Sequence, residues 1–187
     1  MDVADQTDQP FNRWYAACQL GMVAARVEDF ELCQAAMQAC IENSDASGAS
    51  ILRSVGLGGL GLAQVHLGQA TDGLANLAQA VADLVQRGLT ADATLVRTWH
   101  SKALLFAGNA AAALKAAEAA LNDAIRIRAT GLQAAALLAQ AQARQKLAEP
   151  LGDGLATAID LAGPLGLHRL VADCAAVRED RVLVATP

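Results

Sequence analysis

The sequence repeats with a period of 40 residues, and this constrains the fold more than any other feature. Turn-like pairs recur at that spacing at Val27-Glu28, Leu67-Gly68, Ala107-Gly108 and Leu147-Ala148. A small residue precedes each pair, and these small residues form a column of Gly21, Gly61, Ser101 and Ala141. An apolar residue follows each pair, and these apolar residues form a column of Ile41, Val81, Leu121 and Leu161. A fixed period in independent columns is typical of stacked helical hairpins, each of which buries its apolar face against the next.

Each unit is predicted to hold two helices. Alanine, the strongest helix former, fills 44 of the 187 positions, and no proline falls between Pro10 and Pro150. The predicted first helices are Pro10–Arg26, Ser47–His66, Ala91–Phe106 and Ala129–Lys146, and the second helices are Asp29–Glu42, Ala70–Arg87, Asn109–Arg126 and Pro150–Ala162. We therefore expect an all-α fold, a right-handed α-solenoid of about four helix-turn-helix repeats with a C-terminal capping helix.

These elements divide the chain into one domain and two ends. Residues 10–180 are expected to form the single domain, with repeats at about 10–46, 47–88, 89–128 and 129–166 and a cap helix at 167–179. A terminal helix without a partner is a common end for a repeat array. Residues 1–9 are expected to be disordered, and residues 181–187 to form a tail.

The glycine-rich run Gly56-Leu57-Gly58-Gly59-Leu60-Gly61 allows several interpretations. Glycine is poor helix material, at about 1 kcal/mol per residue relative to alanine, so the run has to serve some purpose. We favour a tightly packed helix over a kink, a hinge or a phosphate-binding loop. The phosphate interpretation is the weakest because the sequence has neither a P-loop nor a strand-preceded dinucleotide motif.

Charge and hydropathy indicate the class of partner. The net charge is −5 and the basic residues are scattered, whereas nucleic-acid binders present a basic stripe to the phosphates. We therefore expect no nucleic-acid partner. No segment is long and apolar enough for a membrane helix, and the acidic N-terminus lacks the pattern of a signal peptide. These features predict a soluble, cytoplasmic protein that does not bind membranes.

Signs of catalysis and of metal binding are weak. The histidines, His66, His100 and His168, form neither an HxxxH nor an HExxH pattern, and the four cysteines show no zinc-like spacing. We read the cysteines as small buried thiols, His100 as a packing residue, and His66 as a residue at a helix C-terminus, where the dipole favours a cation. The sequence predicts no catalytic residues, no metal site, no cofactor and no enzyme activity.

The repeats resemble those of the tetratricopeptide family. Leu60-Gly61, Gln64, Gly68 and Gly73 follow the spacing of the family pattern, with Gln64 in place of the usual aromatic residue, and the other units follow it less closely. The longer, alanine-rich repeat is similar to the helical arrays of bacterial LuxR-type ATP-dependent regulators. The resemblance spans about residues 10–180 and implies the fold, but it leaves the partner undefined.

In this family the first helices line a concave surface, which here is mostly apolar. The resemblance implies that the binding groove includes Tyr15, Met22, Leu62, Val65, Leu95, Thr98, Lys102, Leu105, Gln142 and Gln145. An apolar groove usually marks a partner site. We expect a protein-interaction module that holds a peptide or helix, with a small-molecule sensor of a bacterial regulator as the alternative. Closure of this surface by self-association stays open, and Phe11 and Trp14 are candidate contacts of a homodimer.

Overall fold

The protein is an all-α helical repeat. The computed structural model describes residues 10–47 and 50–185, with the side chains of residues 12–45 and 53–179. The helices are α1 (Pro10–Val27), α2 (Phe30–Ser47), α3 (Ser50–His66), α4 (Ala70–Gln86), α5 (Thr90–Phe106), α6 (Ala110–Arg126), α7 (Thr130–Lys146), α8 (Gly154–Ala162) and α9 (His168–Ala185). Residues 1–9, where disorder is expected, and the side chain of Phe11 lie outside the described residues.

The helices form two layers. The inner helices are α1, α3, α5, α7 and α9, and consecutive inner helices pack against each other. The outer helices are α2, α4, α6 and α8, and each packs against the inner helices that precede and follow it in the chain. This pattern is that of a solenoid of hairpins, and it confirms the fold expected from the repeat. The helix α9 packs on α7 and α8, in the place of a fifth inner helix.

Turns of one kind end the five helices α3, α4, α5, α6 and α7. After α3, the amide of Gly68 donates to the carbonyl of Val65, and that of Gln69 to the carbonyl of Gln64 at 2.8 Å. This is the Schellman arrangement, which requires a left-handed residue, and Gly68 has φ +88°. The same turn ends α6 and α7 with Arg128 and Ala148 at positive φ. At the start of α6 the side chain of Asn109 accepts a hydrogen bond from the amide of Ala112 and so caps the helix.

The glycine run is helical and lets three helices approach α3. An added Cβ would lie 2.5 Å from Met37 of α2 at Gly59, 2.7 Å from Val96 of α5 at Gly58, and 2.5 Å from the carbonyl oxygen of Gly73 of α4 at Gly61. No side chain fits at these positions. The run is therefore a tightly packed helix rather than a hinge or a phosphate loop.

Some boundaries differ from those expected. Helix α2 extends to Ser47, and α8 begins at Gly154 rather than at Pro150 because a turn with Gly152 at φ +60° comes first. Helix α9 runs to Ala185, past the expected end of the cap at Glu179. The extension has a simple cause, since neither proline nor glycine lies between positions 179 and 185.

Candidate functional site

A cavity of about 580 Å³ lies on the concave side, within the range of about 300–1,000 Å³ that is usual for ligand sites. It spans the array, because every inner helix and the α1–α2 turn contribute to it. Its lining residues are Ala25, Glu28, Phe30, Leu62, His66, Lys102, Leu105, Phe106, Gln142, Gln145, Lys146, Asp173, Ala176 and Val177. Most of them lie near the C-terminal ends of α1, α3, α5 and α7, and the last three come from α9.

The N-terminal half of the cavity is apolar and aromatic. The His66 ring stacks on Phe30 with centroids 3.9 Å apart and planes 5° apart, and it meets Phe106 on its other side at 4.2 Å and 40°. Burial lowers the pKa of His66 below its usual value; Lys102 lowers it further, and Glu28 opposes both. His66 is thus a member of an aromatic stack, in which burial disfavours the cation that its place at a helix end suggested.

The C-terminal half of the cavity is polar. Gln142 and Gln145 lie one turn apart on α7 and are half-buried, and within the described part of the chain neither side chain makes a hydrogen bond. An amide side chain can donate two hydrogen bonds and accept two. Lys102 and Lys146 bring positive charge from α5 and α7, and Asp173 of α9 is the acidic residue in the lining of this half.

An ion pair joins the two ends of the array beside the cavity. The guanidinium of Arg169, at the start of α9, lies 3.4 Å from the carboxylate of Glu28 in the α1–α2 turn. Both side chains are about half exposed, so the pair adds little stability by itself. It does show that the first hairpin and the last helix face each other across the concave side.

Half of the predicted groove residues line this cavity: Leu62, Lys102, Leu105, Gln142 and Gln145. Val65 and Thr98 are buried between helices, at 1 % and 5 % exposure, and the Thr98 hydroxyl donates to the carbonyl of Thr94. Met22 and Leu95 pack against the core, and Tyr15 is exposed outside the cavity. Trp14, the proposed dimer contact, is 7 % exposed, so most of its surface is already covered within the chain.

The prediction missed the aromatic stack, Lys146 and the residues of α9. His66, Phe106 and Lys146 lie 40 residues apart, in the repeat column five positions after the small one. The predicted groove stopped four positions after the small column. Including the next position of the repeat would have added these three residues. The residues of α9 had no such signal, because the sequence does not show where the cap helix packs.

The cysteines and histidines form no metal site among the described residues. All four cysteines are buried thiols outside any disulfide. Burial raises the pKa of Cys33 and of Cys174 to about 11, and hydrogen bonding to Cys40 together with burial raises that of Cys18. No helix within the described ranges is long and apolar enough to cross a bilayer.

No protein-family model and no curated protein matches the sequence. Among solved structures, the chain is similar to the crystal structure of Bacillus thuringiensis PlcR in complex with the peptide PapR7 and DNA, with a TM-score of 0.76 at 16 % identity. The match covers 92 % of this chain and 64 % of the PlcR chain, so this chain spans less than two thirds of that protein's length. The likeness supports a helical, tetratricopeptide-like fold; the narrower resemblance to LuxR-type regulators stays a prediction.

This match corrects the expectation that nucleic acid is excluded as a partner. A protein with the same fold is in complex with DNA as well as with a peptide. The expectation rested on a net charge of −5, which is a property of the whole sequence. About a third of the PlcR chain lies outside the match, so the charge of a shared array does not indicate which surface contacts DNA. An acidic array is therefore no ground for excluding nucleic acid.

Proposed function

We propose that this protein binds a short peptide in the concave cavity and acts as the ligand-responsive part of a regulator. The cavity itself is the observation that carries the proposal. Apolar side chains such as Leu62 and Leu105 offer contacts for peptide side chains, and the amides of Gln142 and Gln145 offer donors and acceptors for a peptide main chain. The similarity to a structure of PlcR with a bound peptide and DNA supports the same role.

Capture from a pool of short random peptides tests this proposal. Immobilised protein should retain a subset of the pool, and synthetic versions of those peptides should bind in isothermal titration. Leu105→Arg places a long charged side chain in the cavity and should abolish binding. Ile125→Arg is the matched control, because Ile125 is 54 % exposed and lies outside the cavity. Retention of peptides by both variants alike would refute the cavity as the site.

A small-molecule sensor is the second candidate, and one observation favours it. The cavity is bordered by α1 and α9, whose ends are joined by the pair of Glu28 and Arg169, and its volume suits a compact ligand. The resemblance to LuxR-type regulator arrays points the same way. A screen of metabolites by thermal shift, repeated with Leu105→Arg, separates this candidate from the first. If the protein is a small-molecule sensor, a metabolite should raise the melting temperature of the wild type and peptides should not.

The role in regulation is tested separately from ligand binding. Fluorescence anisotropy of labelled duplex DNA, with and without a captured peptide, should show whether occupancy of the cavity alters binding to nucleic acid. Light scattering after size exclusion over a range of concentrations should show whether the ligand alters self-association. A ligand that changes neither would leave a binding protein without a regulatory output, contrary to the proposal.

A further inference from the structure

One row of the repeat supplies three residues to the lining of the cavity and suggests what kind of peptide fits. The row comprises Arg26, His66, Phe106 and Lys146, on successive inner helices. Along it, His66 and Phe106 are in ring contact at 4.2 Å. Phe106 is 60 % exposed, and the next residue along the row, Lys146, also lines the cavity. The aromatic stack therefore ends at Phe106, whose ring is still partly exposed. Phe106 is on α5, and Lys146 is on the neighbouring inner helix α7.

The charges around this place favour an anion. Lys102 and Lys146 line the cavity, and neither is in an ion pair among the described residues. Of the two acids in the lining, Glu28 is within 3.4 Å of Arg169, and Asp173 is on α9. Once Arg169 balances Glu28, the lining retains two cations against one carboxylate. A ligand that enters the polar half meets an excess of positive charge close to the open face of Phe106.

We infer that the cavity selects peptides in which an aromatic side chain stands next to a carboxylate. The ring would extend the stack of Phe30, His66 and Phe106 and lie close to the Lys146 ammonium, while the carboxylate would lie between Lys102 and Lys146. Stacked rings prefer offset contacts such as those already present in the protein, and an ammonium over a ring face adds attraction. A charged donor and acceptor make the stronger class of hydrogen bond. This inference rests on the proposed function.

Peptides captured from the random pool test the inference directly. We expect the retained peptides to be enriched in an aromatic residue that precedes or follows an acidic group. Replacement of that aromatic residue by cyclohexylalanine, which keeps the bulk and removes the π-system, should weaken binding by about two- to tenfold. Each peptide made as a free acid and as a C-terminal amide would show whether the carboxylate comes from a side chain or from the C-terminus.

Variants of the protein complete the test. Phe106→Leu and Lys146→Gln should each weaken these peptides by about two- to tenfold, and Lys115→Gln on the outer helix α6 should leave the affinity unchanged. Phe106 is exposed, so the variants are expected to fold, and a thermal unfolding curve checks this. Two results would overturn the inference and leave the proposed function standing. In the first, the retained peptides lack aromatic or acidic residues. In the second, they bind Phe106→Leu as well as wild type but do not bind Leu105→Arg. Failure to retain any peptide would overturn both.

Discussion

Gly61 and Gly73 bring the backbones of α3 and α4 into contact: a Cβ on Gly61 would lie 2.5 Å from the carbonyl oxygen of Gly73, and the reverse distance is also 2.5 Å. Each glycine is therefore required by the other. Ser101 and Ala113 occupy the same two positions one repeat later, where the serine hydroxyl donates to the alanine carbonyl at 2.8 Å. An inner and an outer helix thus cross closely in both repeats, through two glycines in the first and through a side-chain hydrogen bond in the second.

Gly61→Ala is expected to destabilise the protein by about 3 kcal/mol, because backbone atoms must move to admit the methyl group. This loss exceeds the roughly 1 kcal/mol that alanine gains over glycine in helix propensity. Gly131→Ala is the matched control, since its added Cβ would meet nothing nearer than 3.8 Å, and it should be neutral or slightly stabilising. Urea unfolding measures both. Equal stability of the two variants would contradict the close contact.

Asp123 is expected to contribute more than an ordinary surface carboxylate. It pairs with Arg97 and also lies 2.9 Å from Arg126, and it is only 17 % exposed. Asp123→Ala leaves Arg97 partly buried without a carboxylate, at a cost of about 1–3 kcal/mol. The exposed pair of Asp45 and Arg53 supplies the control, because Asp45→Ala should cost less than about 1 kcal/mol. The comparison is made by urea unfolding, and a larger loss in the control would refute it.

The stability of the protein should fall as the pH drops below about 6.5, the ordinary pKa of histidine. Burial lowers the pKa of both His66 and His100, so the unfolded chain takes up protons more readily than the folded one and is favoured on acidification. The double variant His66→Phe with His100→Gln should lose less stability between pH 6.5 and 5. Chemical unfolding across this window provides the measurement. Parallel pH profiles for wild type and variant would show that the two histidines do not carry the effect.

The cysteines should react slowly in the folded protein. All four are buried, and burial raises the pKa of Cys33 and of Cys174 to about 11, so these two form few thiolates at pH 8. Hydrogen bonds with Cys18 and Ser44 lower the pKa of Cys40, so its slow reaction is expected from burial alone. We expect labelling with a disulfide reagent to be slow in buffer and fast and complete in denaturant. A rapid phase under native conditions would locate a thiol that opens to solvent.

The sequence predicted the fold well because the same pattern recurs in several repeats, and each recurrence is a separate indication of the same structure. The small residues Gly21, Gly61, Ser101 and Ala141 recur in one column of the repeat, and all four are buried. Gly68 and Gly108 belong to the turn-like pairs, and each has a positive φ after a helix. Such features are local or periodic, so they can be read without knowledge of the overall shape.

The site was harder to predict because it depends on how sharply the array curves. Val65 and Thr98 were assigned to the concave surface, but both side chains are buried, and Val65 lies against Gly73 of the outer helix α4. The pair of Glu28 and Arg169 forms between the first turn and the last helix, and no periodic pattern connects two such distant positions. The turn before α8 also differs from the other repeats, so the place of α9 could not be deduced from them.

Within residues 12–45 and 53–179, whose side chains are described, the buried residues form two apolar clusters. One runs from Ala17 to Ala103, and the other joins α7, α8 and α9 through residues such as Leu138, Leu155 and Cys174. Between them, the buried face of α6 is built from alanine alone, at Ala113, Ala117, Ala120 and Ala124.

Alanine buries little surface, so the layer at α6 contributes less apolar burial than the layers that contain leucine and valine. We therefore expect the C-terminal helices to open as a separate foldon, at a lower free energy than global unfolding. The cavity draws its lining from both sides of that layer. A ligand bound at the proposed site would therefore contact both parts of the array, and we expect its binding energy to couple their unfolding into one transition.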